Sequence, residues 1–116
     1  MNGFEKLVYK TRSTQNTTKQ IDSEKLVERR LVELVKANGG MCIKLLCDQL
    51  TGLPDRLCLF PGHKIVFVEL KTTGRKPRRI QTFMHNKLRA LGFRVEVIDT
   101  IEGVNKFVES IILNRP

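Results

Sequence analysis

Three residues carry the chemistry this sequence could do. Asp55 follows Pro54 in the stretch GLPDRLCLF, and Glu69 and Lys71 close the stretch IVFVELK. Charged groups at the end of an apolar strand are costly to desolvate unless something pairs with them. Two carboxylates and an ammonium suit a hard divalent cation, which takes oxygen ligands from one or two carboxylates and leaves room for water and a phosphate. A metal held between Asp55 and Glu69 could activate a water and neutralise phosphoryl charge. Lys71 could orient that water or stabilise a pentavalent phosphorus. The same residues would also make an ordinary Asp–Lys–Glu ion pair at a sheet edge.

The elements around them decide whether they can meet. Arg56–Phe60 and Ile65–Lys71 read as two strands of a hairpin about Pro61-Gly62-His63-Lys64. Side chains alternate along a strand, so Ile65, Phe67, Glu69 and Lys71 share one face and Val66, Val68 and Leu70 the other. A turn of three or five residues sets Asp55 opposite Glu69 or Lys71, on their face. A turn of four sets it opposite Leu70, on the wrong face, unless a bulge intervenes.

The rest of the chain supplies flanking helices. Asp22 or Ser23 can cap a helix running to about Asn38, with Val27, Leu31, Leu34 and Val35 as its apolar stripe. Gly39-Gly40 ends it. Met41–Leu46 reads as a strand with Lys44 as its one charge. Pro77 suits the first turn of a helix that turns Ile80, Phe83, Met84, Leu88 and Leu91 inward and stops at Gly92. Phe93–Ile98 is a further strand with Val95 and Val97 on one face. Asp99 with Glu102 reads as a capping box for a last helix to about Leu113. The order is α-β-β-β-α-β-α, the pattern of an α/β fold whose mixed sheet is flanked by helices.

Composition sets the partners. The chain has 116 residues, of which 41% are hydrophobic, enough for one packed domain. Residues 1–21 read as a flexible arm, in which Tyr9 and Arg12 could wrap onto a partner, and 22–116 as the domain. The formal net charge is +9. Eight basic residues and no acidic one lie between Leu70 and Val95: Lys71, Arg75, Lys76, Arg78, Arg79, Lys87, Arg89 and Arg94. Such a block points to a polyanion, most simply nucleic acid. Arg75, Lys76, Arg78 and Arg79 surround a helix N-terminus, where backbone amides also favour phosphate, and are expected to hold the DNA backbone. His85, four residues after Gln81, is a further candidate DNA contact. The start of the chain lacks the apolar block of a secretory signal, and no run is long enough to span a bilayer, so a soluble intracellular protein is expected. Cys42, Cys47 and Cys58 lack zinc-site spacing and read as buried free thiols.

Gly52, Pro54 and Asp55 as G-x-P-D, then Glu69-Leu70-Lys71, then Gln81 on the next helix, together resemble the PD-(D/E)xK nuclease superfamily, a restriction-endonuclease-like core. More closely they resemble its virus-type replication–repair branch, VRR-NUC. The likeness runs from about Ser23 to Ile98 and takes in Gly39-Gly40, Lys44, GLPDRL, IVFVELK and LGFRVEVID. It implies a Mg²⁺- or Mn²⁺-dependent DNA nuclease. In it Asp55 and Glu69 would bind metal, with the Leu70 carbonyl as a further ligand, Lys71 would be the catalytic lysine, and Gln81 would order water or substrate at the site's edge. A glutamate of the first helix also contributes in this family; Glu28 matches it better than Glu24. Lys44 is carried over as a nucleic-acid contact. Stand-alone viral members resemble Holliday-junction resolvases, which implies a homodimer acting on branched DNA. Its candidate surfaces are Val104, Phe107, Val108, Ile111 and Ile112 of the last helix and the Leu45-Leu46 region. A flap, nicking or restriction-like nuclease, or a non-catalytic DNA-binding subunit, are the competing readings.

Overall fold

The computed structural model describes residues 20–114, so the arm expected over residues 1–21, with Tyr9 and Arg12, lies almost wholly outside the described residues. The elements follow as α1 (Glu24–Ala37), β1 (Met41–Lys44), β2 (Arg56–Phe60), β3 (Lys64–Leu70), α2 (Arg79–Ala90), β4 (Arg94–Ile98) and α3 (Ile101–Leu113). The α-β-β-β-α-β-α order expected from the sequence is the order observed. The four strands form one mixed sheet in the order β1-β2-β3-β4. β1 and β2, and β2 and β3, pair antiparallel; β3 and β4 pair parallel. A parallel pair needs a crossover connection, and α2 provides it.

One face of the sheet is the core. Val66, Val68 and Leu70 of β3 join Cys58 and Phe60 of β2 beneath Val27, Leu31 and Val35 of α1 and Val104, Phe107, Val108 and Ile111 of α3. Each fully buried side chain of this kind stabilises the fold by roughly 1.5–3 kcal/mol. Phe60 and Phe107 meet edge to face at 6.0 Å. Ser23 caps α1, its hydroxyl accepting from the Leu26 amide at 3.2 Å, and Gly39 leaves the helix at φ +83°. The α3 surface expected to join two protomers is therefore this chain's own core. Val104, Phe107, Val108 and Ile111 are buried, and Ile112 packs against them.

Four further expectations are corrected. α2 begins at Arg79 rather than at Pro77, which stays outside the helix. Its buried residues are Gln81 and His85, while Ile80, Phe83 and Leu91 are exposed. The cause is the sheet below it: a buried carboxylate, Glu69, demands polar partners. α3 is capped by Thr100, whose hydroxyl accepts from the Gly103 amide at 2.8 Å, and not by Asp99 with Glu102. Of the three thiols only Cys58 is buried; Cys42 is half-buried and Cys47 exposed. Among the described residues no helix is long and apolar enough to cross a membrane.

Candidate active site

The β2–β3 turn decides the geometry. Phe60 pairs with Lys64, so the turn is the three residues Pro61-Gly62-His63. Gly62 (φ +84°) and His63 (φ +65°) both adopt the left-handed conformation that so short a connection requires. The ladder ends with Arg56 opposite Val68, and one further step sets Asp55 opposite Glu69. The Leu45 amide donates to the Asp55 carbonyl at 2.9 Å, and Asp55 Oδ2 accepts from the Leu70 amide at 2.8 Å. The carboxylate is thus held against the end of β3 beside Glu69.

Glu69 is buried, with 1% of its surface exposed. Its Oε2 accepts from Gln81 Nε2 at 2.9 Å and lies 3.3 Å from Lys71 Nζ. Gln81 Oε1 in turn accepts from Lys71 Nζ at 3.0 Å and from the Arg78 amide at 2.8 Å. One glutamine therefore fixes the acid, the lysine and the start of α2. Burial, and after it the Asp55 charge, push the Glu69 carboxyl up to about 7, with Lys71 holding back part of the rise. Glu69 Oε1 has no hydrogen-bond partner among the described residues. Two carboxylates that repel each other, one with a free buried oxygen, are a donor set that fits a hard divalent cation.

A cleft of about 320 Å³ lies beside Lys71, lined by Glu24, Lys71, Thr72, Arg75, Lys76 and Arg78. The loop on its rim is pinned at both ends. The Thr72 hydroxyl accepts from the Glu24 amide at 3.1 Å. The Asp22 amide donates to Thr73 Oγ1 at 2.8 Å, and the Thr73 amide donates back to the Asp22 carbonyl at 3.1 Å. Thr73 Oγ1 donates to the Asp99 carbonyl at 2.7 Å, and Asp99 Oδ2 accepts from the Gly74 amide at 2.8 Å. Asp22 also caps α3 through Oδ2 and the Ile101 amide at 2.8 Å. This hub, in which Asp99 serves the loop and Asp22 serves both the loop and the start of α3, is not visible in local sequence patterns because its partners lie 25 to 79 residues apart.

The sequence candidates separate clearly. Asp55, Glu69, Lys71 and Gln81 come together. Gln81 is a buried bridge between Glu69 and Lys71, not a residue of the site's edge. Glu28 is engaged by Arg56: its Oε2 accepts from Arg56 Nη2 at 2.9 Å and Nε at 3.2 Å. Glu24, the less favoured choice, lines the cleft, and its charge acts on Glu69. The two share a helical face one turn apart, and Arg56, distant in sequence, distinguishes them. Arg75, Lys76, Arg78 and Arg79 surround the start of α2, and Lys44 is exposed at the end of β1. His85 is not placed to touch DNA; it is 1% exposed and faces Glu69. Gly52, named only as part of G-x-P-D, has φ +90°, and a Cβ there would stand 2.6 Å from the Ile80 carbonyl oxygen. The Asp55 loop can lie against α2 only because that residue is glycine.

No family model matches the chain. Over 77 residues it is 42% identical to the "Putative nuclease p44" of Acyrthosiphon pisum secondary endosymbiont phage 1, a stretch that makes up 66% of this chain and 83% of the phage protein. A solved structure named "VRR_NUC domain" superimposes with a TM-score of 0.70 at 31% identity, covering 76% of this chain and 97% of that one. The chain belongs to the VRR-NUC nuclease family. The VRR-NUC fold accounts for the hairpin that pairs Asp55 with Glu69 and for the crossover helix that brings Gln81 to them. As a VRR-NUC nuclease, the chain has in the Asp55–Glu69–Lys71 cluster its candidate hydrolytic centre.

Proposed function

We propose that this chain is a divalent-metal-dependent DNA endonuclease that hydrolyses phosphodiester bonds in branched DNA, four-way junctions first, and works as a homodimer. The observation that carries the reading is the hydrogen-bonded Glu69–Gln81–Lys71 network, with Asp55 held next to it on the Leu70 amide, beside a basic cleft. Asp55 and Glu69 would hold Mg²⁺ or Mn²⁺, with the Leu70 carbonyl as a further oxygen. Bound there, the ion would supply Lewis acidity and a water of lowered pKa. The chain's own residues do the rest. Lys71 is aimed by Gln81, and its ammonium stabilises charge at the reacting phosphate. Arg75, Lys76, Arg78 and Arg79 hold the flanking backbone and position the substrate without reading its sequence. Glu24 supplies the acidic wall of the cleft.

The dimer has a physical motive other than α3. The second face of the sheet carries Met41, Ile43, Leu57, Leu59, Ile65 and Phe67 in register across β1, β2 and β3, with Phe93 edge-on to Phe67 at 5.7 Å. Met41, Ile65 and Phe93 are 61%, 41% and 40% exposed, and Phe83 of α2 is 58% exposed. An exposed apolar sheet face supports pairing of two copies, which a two-fold axis allows with one self-complementary surface. Two active sites in one particle would cut a four-way junction symmetrically.

The test is cleavage of a labelled four-way junction, a flap and a linear duplex by the full chain with Mg²⁺, Mn²⁺ or EDTA, alongside its mass in solution. Paired symmetric nicks on the junction by a dimer are expected. Cutting confined to flaps or linear DNA would keep the metal site and remove junction resolution. DNA binding without any cutting would favour a non-catalytic subunit.

A further inference from the structure

Two buried polar atoms of the described residues have no hydrogen-bond partner, and they face each other. They are Glu69 Oε1 and His85 Nε2, 3.8 Å apart. Both side chains are 2% exposed, so bulk water does not serve either one. Unpaired buried polar atoms are costly and rare in folded proteins. His85 stands one helical turn after Gln81, so both lie on the face of α2 that covers Glu69. Gln81 Nε2 already holds Oε2. The imidazole is the group that faces the other oxygen.

We propose that His85 is a positioning residue for Glu69, its Nε2–H directed at Oε1 so that Gln81 and His85 fix the carboxylate at both oxygens and hold it toward Asp55. The inference rests on the metal-site reading above. Groups that orient a metal ligand from behind commonly change metal affinity by about 10–100-fold when removed.

The test measures Mg²⁺ and Mn²⁺ binding to the full chain by calorimetry, free of any cleavage readout. His85→Phe keeps a ring without a donor. His85→Gln restores a donor where Nε2 stood. Binding by His85→Phe is expected to weaken about tenfold or more with an unchanged circular dichroism spectrum, and His85→Gln to return most of it. Wild-type affinity in a folded His85→Phe would overturn the proposal, leaving His85 as packing. If His85→Phe does not fold, the ring nitrogens of the wild-type protein decide by NMR: an Nε2–H tautomer perturbed by Mg²⁺ supports the proposal, and an Nδ1–H tautomer refutes it. Asp55→Asn is the control. If that variant binds metal as the wild type does, the metal-site reading fails, whatever His85 does.

Discussion

Replacing Glu69 by Gln tests how much stability the site gives up for its charge. Burial and Asp55 raise the Glu69 carboxyl from an ordinary 4.5 to about 7 in the metal-free protein. The folded state therefore binds the proton more tightly than the unfolded chain. The stability this contributes is fully present below pH 4.5 and is lost as pH rises through about 7. At about 1.4 kcal/mol per decade of pKa, ionised Glu69 costs the fold about 3 kcal/mol at pH 8.5. Glutamine mimics the protonated acid and does not ionise. Glu69→Gln should melt close to the wild type at pH 5 and on the order of 10 °C above it at pH 8.5, in EDTA. His85, whose pKa burial lowers, works in the opposite sense, removing stability as pH falls. His85 faces Glu69, so its contribution shifts with the substitution, and the growth of the melting difference toward pH 8.5 is the quantity to follow by thermal unfolding. Mg²⁺ at pH 8.5 should raise the wild-type Tm and leave the variant's nearly unchanged, because only the wild type presents both carboxylates. A melting difference that does not grow with pH would refute the reasoning.

Other perturbations separate the remaining claims. Glu24→Gln should lower cleavage by roughly 10²-fold, while Glu28→Gln should leave cleavage near wild type and cost at most about 1 kcal/mol of stability through Arg56; equal effects in single-turnover assays and melts would contradict the assignment. Gly52→Ala should cost about 2 kcal/mol or more, seen in urea unfolding, because it combines φ +90° with a contact at the Ile80 carbonyl oxygen; a neutral effect would show that the loop does not rest on α2 as described. Arg75→Ala with Arg78→Ala should weaken binding to all duplex sequences alike and reduce the slope of log affinity against log salt by about 2, measured by fluorescence anisotropy; an unchanged slope would remove both from the phosphate contacts.

The central pairing was legible because it depends on parity. Strand alternation puts Glu69 and Lys71 on one face, and turn length alone decides whether Asp55 joins them. The left-handed His63 lets Lys64 begin β3, which settles the turn at three residues. Helix positions were legible for the same local reasons, as with Ser23 before α1. What stayed hidden was set by contacts distant in sequence. Hydrophobic periodicity turned Ile80, Phe83 and Leu91 inward, but the surface under α2 holds a carboxylate, so Gln81 and His85 are buried instead. Glu24 and Glu28 are equivalent on a helical wheel until Arg56 of β2 claims one. The loop hub of Asp22, Thr73 and Asp99 leaves no periodic trace at all.

Metal-dependent cleavage by the full chain and by Asp55→Asn tests the central claim most directly. The carboxamide oxygen that this substitution introduces can still accept from the Leu70 amide, so the fold and DNA binding should survive. The account predicts DNA cleavage by the wild type that needs Mg²⁺ or Mn²⁺ and stops in EDTA, and none by the folded variant. Cleavage that persists in Asp55→Asn, or that is indifferent to EDTA, would contradict it.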